Sequence, residues 1–277
     1  MKLLVTFIFL SVIISVSTVN ARTIDTINST GTLKVCALSE RMPFSSKSGE
    51  RSGIQIELAT ELAKELNVEL EVIWLRYRFH ARKAGCDLMM EAVARKDDDE
   101  NKRDIEGARP LTRASDSKKS KLPPQASIPI IKYETYLVGR QETINGNNTL
   151  SGIKELNMGV MRGTWSHMLM QKYKIRHRTK FETEETLIQG VADGEVDAGF
   201  ISSPQYWWFL KNNPETKLSY LNDFDFTREV SLNVGILMRG ADENTVKIFN
   251  NLLQKMLDNK KIQDIYASYG INYVSPD

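Results

Sequence analysis

Leu33-Lys34-Val35-Cys36-Ala37-Leu38 is the stretch on which the fold turns. Its length and apolar content mark a strand. Arg41-Met42-Pro43-Phe44 follows as a loop. Leu58, Ala59, Leu62, Ala63 and Leu66 then recur at helical spacing, which predicts an amphipathic helix over residues 54–66, ended by Asn67. Residues 68–74 predict a second strand with Leu70, Val72 and Trp74 on one face, and a short helix leads to a third strand over 86–93. Strands alternating with helices in this way predict a parallel sheet with right-handed crossovers.

Cys36 opens this series and Cys86 closes it, and the chain has no other cysteine. Upstream, Lys2, an apolar run over 3–19 and Val19-Asn20-Ala21 have the pattern of a secretory signal peptide over 1–21, cleaved after Ala21. Export places the thiols in an oxidising compartment, where a lone pair is most simply one disulfide. A metal pair or a redox pair asks for CxxC spacing or a nearby His pair, and neither occurs. Bonding Cys36 to Cys86 requires the first strand to lie beside the third, a 2-1-3 order common in doubly wound sheets.

Downstream the character changes. Over residues 95–121, 16 of 27 residues are charged and large apolar residues are nearly absent, so a solvated excursion is predicted. Asp97-Asp98-Asp99-Glu100 lacks the alternating oxygens and central Gly of a calcium loop. Order returns with a strand over 133–138 and the turn Gly146-Asn147-Asn148. Strands over 157–161, 177–181 and 196–201 then interleave with helices that begin near Gly163, Thr183 and Pro204. Residues 230–238 return as a strand, followed by a long helix with Val246, Phe249, Leu252, Leu253 and Met256 inward and a last one around Ile262, Ile265 and Tyr266. The expected organisation is α/β: one lobe over 22–138 and 232–277, and a second over 139–231. A two-segment hinge joins the lobes across a cleft.

In this order the segments resemble the family-3 extracellular solute-binding proteins. The first lobe matches in LKVCALSERMPFS, GIQIELATELAKEL, ELEVIW and CDLMM. The second lobe matches in GVMRGTWSHMLMQKY and TEETLIQGVADGEVDAGFISSPQY, and the C-terminal helices match in LDNKKIQDIYASYGI. The resemblance implies a periplasmic binding protein type 2-like fold and a periplasmic location. Amino-acid binders of the family carry a Thr-x-x-Arg motif after the third strand and an acid shortly after the VDA strand. Here Thr112-Arg113 stands in another context, and Ser202 and Ser203 take the acid's place. The cysteine placement resembles a subgroup encoded with pyrroloquinoline-quinone-dependent alcohol dehydrogenases, the methanol oxidation J proteins. PIIKYETYLVGR resembles a strand of that subgroup, with Ile130-Ile131-Lys132 replacing its aromatic and basic residues. That subgroup implies an accessory whose partner is a quinoprotein methanol dehydrogenase or one of its maturation factors, with a small organic ligand as a further candidate; the family at large implies the alternative, the substrate-binding component of an ABC transporter for a polar solute.

The cleft is expected at the carboxyl ends of the parallel strands. The first lobe offers Ser39, Glu40, Phe44, Trp74, Arg76 and Glu91; the second offers Arg162, Gly163, Thr164, Trp165, Ser202 and Ser203. Gly163-Thr164 opens a helix, so its N–H groups could hold an anion, or Thr164 could simply cap the helix. Tyr206, Trp207 and Trp208 cannot all face one core; they offer a partner surface or a core residue beside exposed ones. His80, His167 and His177 have no metal-ligand spacing and no GxSxG elbow occurs, so neither a catalytic apparatus, a cofactor nor a metal is expected. The fold supports a few dehydratases, and Glu91 is the acid such a reaction would use. Charge is balanced, 37 basic against 35 acidic residues, which gives no pull toward nucleic acid and none toward membrane once the signal is removed.

Overall fold

Two sheets, one in each lobe, organise the molecule. The computed structural model describes residues 22–94 and 124–277. The expected signal peptide and the charged excursion lie outside the described residues. Among the described residues, no helix is long and apolar enough to cross a membrane.

The first sheet is ordered Glu69–Leu75, Thr32–Leu38, Leu88–Val93, Leu232–Met238, Gln125–Ala126, with Ile131–Tyr133 also on Leu232–Met238. Its first three strands are parallel, so the 2-1-3 order holds. Cys36 and Cys86 are bonded, with Cα atoms 5.6 Å apart. The returning strand Leu232–Met238 runs antiparallel to Leu88–Val93. Helix Ile54–Glu65 buries Leu58, Ala59, Leu62 and Ala63 on this sheet, and Asn67, in the left-handed region, follows its end. Phe249, Leu253, Ile262 and Tyr266 of Glu243–Asp258 and Lys261–Ser268 complete the core. Helix Ile24–Thr30, absent from the sequence reading, adds Ile24 and Ile27.

The second sheet is ordered His177–Phe181, Met158–Met161, Ala198–Ser202, Thr135–Gly139, Ser219–Leu221. Leu137, Met158, Val160 and Phe200 fill one side. Val138, Leu187, Ile188 and Ile201 fill the other. Thr135–Gly139 pairs only with strands of this sheet, whereas Ile131–Tyr133 pairs with the first. The single strand expected over 133–138 is therefore two, and the first crossover falls at Glu134 rather than after residue 138. The second crossover falls between Thr227–Val230 and Leu232–Met238. The Thr135 hydroxyl donates to the Val230 carbonyl at 2.8 Å, tying the crossovers side by side. Ser203 closes the hinge from above: its N–H donates to the Glu134 carbonyl at 2.7 Å, and its hydroxyl accepts from the Glu134 N–H at 3.2 Å.

The disulfide closes a 50-residue separation. Replacing both cysteines (Cys36→Ser with Cys86→Ser) is expected to lower unfolding free energy by about 4 kcal/mol in the chain-entropy model. Urea titration of the oxidised protein and the double variant measures the difference; a change under about 1 kcal/mol would contradict the assigned role.

Candidate functional site

Two segments leave the carboxyl ends of the first sheet and converge on Glu91 of the strand Leu88–Val93. The first forms a small ribbon, Glu40–Arg41 against Ser45–Ser46. Side chains alternate across a strand, so Glu40 and Arg41 face opposite ways. Glu40 is exposed and accepts from the Ser48 hydroxyl at 2.9 Å. Arg41 turns inward to pair with Glu91 and lies 4.7 Å over the Phe44 ring. Phe44 is buried and contacts Tyr133 at 5.8 Å between centroids. Gly53 allows this loop to close: its φ is +96°, and a Cβ there would lie 2.5 Å from the Phe44 carbonyl oxygen.

The second segment leaves Glu69–Leu75. Arg76 points outward, over the Tyr77 ring. Two residues on, Arg78 reaches in: one guanidinium nitrogen meets the Glu91 carboxylate at 2.6 Å and another the Glu91 carbonyl at 3.0 Å. Of the three charges predicted in this lobe, Glu91 thus pairs with Arg41 and Arg78, while Glu40 and Arg76 turn away from it. Trp74 stays half-buried within its strand, paired with Ala37, and Ser39 engages through its backbone alone, to Leu75 and Lys47.

Burial alone would raise the Glu91 pKa, but Arg41 and Arg78 outweigh it and hold the carboxyl at about 2. Burial likewise works against the Arg41 charge, and Glu91 more than offsets it, so that pKa lies above the ordinary value. Glu91 is thus ionised at neutral pH and has no proton to give, which removes the general-acid role that a dehydratase reading assigns to it. Tyr133 and Tyr266 share a hydrogen bond at 3.1 Å beside this cluster, and burial raises the Tyr133 pKa further above its ordinary value.

The second lobe contributes Ser202 and a carboxylate that sequence reasoning missed. Glu184 begins helix Glu184–Ala192 and accepts from the Ser202 N–H at 2.7 Å and hydroxyl at 2.8 Å. Burial pushes its pKa up, the Ser202 bonds and Arg41 pull it down, and Glu91 pushes it up again. Arg41 and Glu184 are thus electrostatically coupled across the lobes. Ser203 belongs to the hinge instead.

The turn at Gly163 behaves as a cap. The Thr164 hydroxyl accepts from the His167 N–H at 3.2 Å, and the Gly163 N–H donates to His167 Nδ1 at 3.1 Å. These bonds take up N–H groups proposed for an anion. Exposed Arg162 contacts Thr179 at 3.3 Å, and the Trp165 indole donates to the Glu229 carbonyl.

The aromatic run departs most from expectation. Tyr206 is only 3% exposed and packs against Tyr136 and Tyr220. Trp207 packs against the cores of both lobes, and Trp208 lies 5.8 Å from Tyr269 of the first. Successive residues on helix Ser203–Asn212 turn by 100°, so one faces its own core and the other two the lobe junction. The expected partner surface at these three residues is an interior seam.

No family model matches the sequence. A probable histidine-binding protein of Neisseria gonorrhoeae is 28% identical over 140 residues, 49% of this chain and 50% of that protein, so the match spans half its length. An ancestral cationic amino acid solute-binding protein superposes with a TM-score of 0.66 at 20% identity, over 89% of this chain and 99% of its own. The periplasmic binding protein XoxJ from Methylobacterium extorquens AM1 superposes at 0.63 and 19% identity, over 88% of this chain and all of its own. The fold is periplasmic binding protein type 2-like.

Glu91 sets one acid response. Its folded pKa is depressed, so its contribution is complete above the unfolded value near 4.5 and is lost as pH falls toward about 2. Asp87, raised by burial to about 6, acts oppositely and adds stability as pH falls from about 6 toward 3.8. Chemical denaturation is therefore expected to show a loss between about pH 4.5 and 2 that is missing in Glu91→Gln. At pH 7 that variant should be less stable by about 2 kcal/mol, because two guanidiniums lose a charged partner. An unchanged acid limb would contradict the clamp.

Proposed function

We propose that the chain is a periplasmic solute-binding-type protein that takes a small polar ligand between its lobes and performs no chemistry on it. One observation carries this reading: the lobes present opposite charges to each other. Glu91 neutralises one of the two guanidiniums beside it, which leaves the first lobe with cationic character at Arg41 and Arg78. The second lobe faces it with the Glu184 carboxyl, held by Ser202. A cation on one wall and a carboxyl on the other complement a zwitterion. Ser202 stands where the family resemblance leads one to expect an acid, and Glu184 brings a carboxyl to it from a neighbouring helix. The ligands for which the Neisseria relative and the ancestral protein are named, histidine and cationic amino acids, lie in the same chemical class.

A second reading has its own support. The Cys36–Cys86 bond joins the positions that resemble the methanol oxidation J proteins, and the fold is similar to that of XoxJ. On that reading the chain is an accessory of a pyrroloquinoline-quinone-dependent methanol dehydrogenase system, binding the enzyme, a maturation factor or a ligand delivered to it.

A thermal-shift screen of amino acids and small organic acids, followed by calorimetry, separates the two. The first reading predicts a saturable hit that stabilises by about 2.7 kcal/mol at a hundred times its Kd. Glu184→Gln should weaken an ammonium-bearing ligand by roughly ten-fold or more, the scale of one charged hydrogen bond. No hit, together with recovery of the dehydrogenase or a maturation factor on the tagged protein from methanol-grown cells, would favour the accessory.

A further inference from the structure

Three large apolar side chains stand exposed among the described residues: Tyr77 at 48%, Phe79 at 66% and Val93 at 51%. The first two adjoin each other, and Val93 stands at the end of the strand that Arg78 reaches. Tyr77 and Phe79 leave the strand Glu69–Leu75, and Arg78 between them bonds to the Glu91 carbonyl, two residues from Val93. The Tyr77 and Phe79 rings are stacked at 5.5 Å with 7° between their planes. The His80 ring stands edge-on to Phe79 at 4.3 Å, and Arg76 lies over Tyr77 at 5.3 Å. Scattered exposed apolar residues need no explanation, but a contiguous and self-ordered group does.

The charge of the segment itself is one-sided. Residues 76–85 carry Arg76, Arg78, Arg82 and Lys83 and no acid. Arg78 is spent on Glu91, while Arg76 and Lys83 are exposed. Arg239 adds to the field: burial lowers its pKa, and Arg82 nearby lowers it further. The underside is fixed. Ala81 and Leu75 are buried in one cluster with the bonded pair Cys36 and Cys86, Met89, Ala92 and Leu237. The disulfide thus anchors the base of a segment whose upper side is aromatic and cationic.

We propose that residues 76–83, with Val93, form a docking surface for a protein partner that presents an acidic face with room for two stacked rings. Arginine beside aromatic rings on a preorganised base is the composition of an interface hot spot. A bilayer fits less well. The segment holds a three-residue 3-10 turn, Arg78–His80, and a four-residue helix, Ala81–Ala84, too short for an amphipathic helix lying in the headgroups. The chain's formal charge of +2 gives no long-range attraction to lipid or nucleic acid, so recognition has to be local. Arg78 belongs to both places: its guanidinium holds Glu91 in the cleft, and its neighbours form the surface.

The test is site-specific photo-crosslinking in the full chain, in its native envelope, with p-benzoylphenylalanine in place of Phe79 and, as control, in place of exposed Lys247 on Glu243–Asp258. The expected result is a protein adduct at position 79 alone, with a crosslinked peptide rich in Asp and Glu. Adding Arg76→Glu and Lys83→Glu should cut its yield by about ten-fold or more while the unfolding curve stays in place. Equal adducts at both positions, lipid or self-adducts, no adduct, or a yield indifferent to the charge reversal would each overturn the proposal. The outcome is independent of the cleft reading: a chain that binds no solute can still give the charge-sensitive adduct, and a solute receptor can fail to give it.

Discussion

A carboxylate clamped between two guanidiniums organises the first lobe. Glu91 lies at the carboxyl end of the third parallel strand, Arg41 on the ribbon after the first and Arg78 on the turn after the second. One ionised group thereby gathers the exits of three strands. Breaking it would leave two partly buried cations without their counter-charge, which costs more than the pair itself is worth. Phe44 and Tyr133 close over the clamp and bring the hinge strand against it.

Around this point the molecule has two devices that act at different heights. Below, the disulfide and its small apolar cluster fix the register of the first and third strands and the base of the turn that carries Arg78. Beside it, Ser203, Thr135 and the seam of Trp207 and Trp208 hold the crossovers and the second lobe. Lys211 donates to the Ser268 carbonyl at 2.8 Å and Arg51 to the same carbonyl at 2.9 Å, so both lobes grip one end of helix Lys261–Ser268. The second lobe is therefore oriented when it presents Glu184 to Arg41.

Much of this was legible in the sequence, and the limits have physical causes. Periodicity exposed Ile54–Glu65 and Glu243–Asp258 because each carries an unbroken apolar stripe. Ile24–Thr30 buries only two residues and left no stripe to read. The break at Glu134 was hidden because alternation runs on through it from Tyr133 to Val138, whichever sheet receives each half. At the strand ends, Arg41 rather than Glu40 and Arg78 rather than Arg76 turn toward Glu91; that choice depends on the conformation of the loop and the 3-10 turn, which sequence periodicity does not carry. Glu184 was invisible for another reason. An acid in the first turn of a helix is expected on dipole grounds alone, and only the fold brings Ser202 to it. The same holds for Tyr206 to Trp208, whose seam needs both lobes in place.

Carbon-13 detected titration of the glutamate side-chain carboxyls tests the account most directly. It predicts that Glu91 stays ionised down to about pH 2, while burial holds Glu184 above its ordinary value and a zwitterion in the cleft moves it down. An ordinary titration of Glu91, with Glu184 indistinguishable from the surface glutamates, would contradict it.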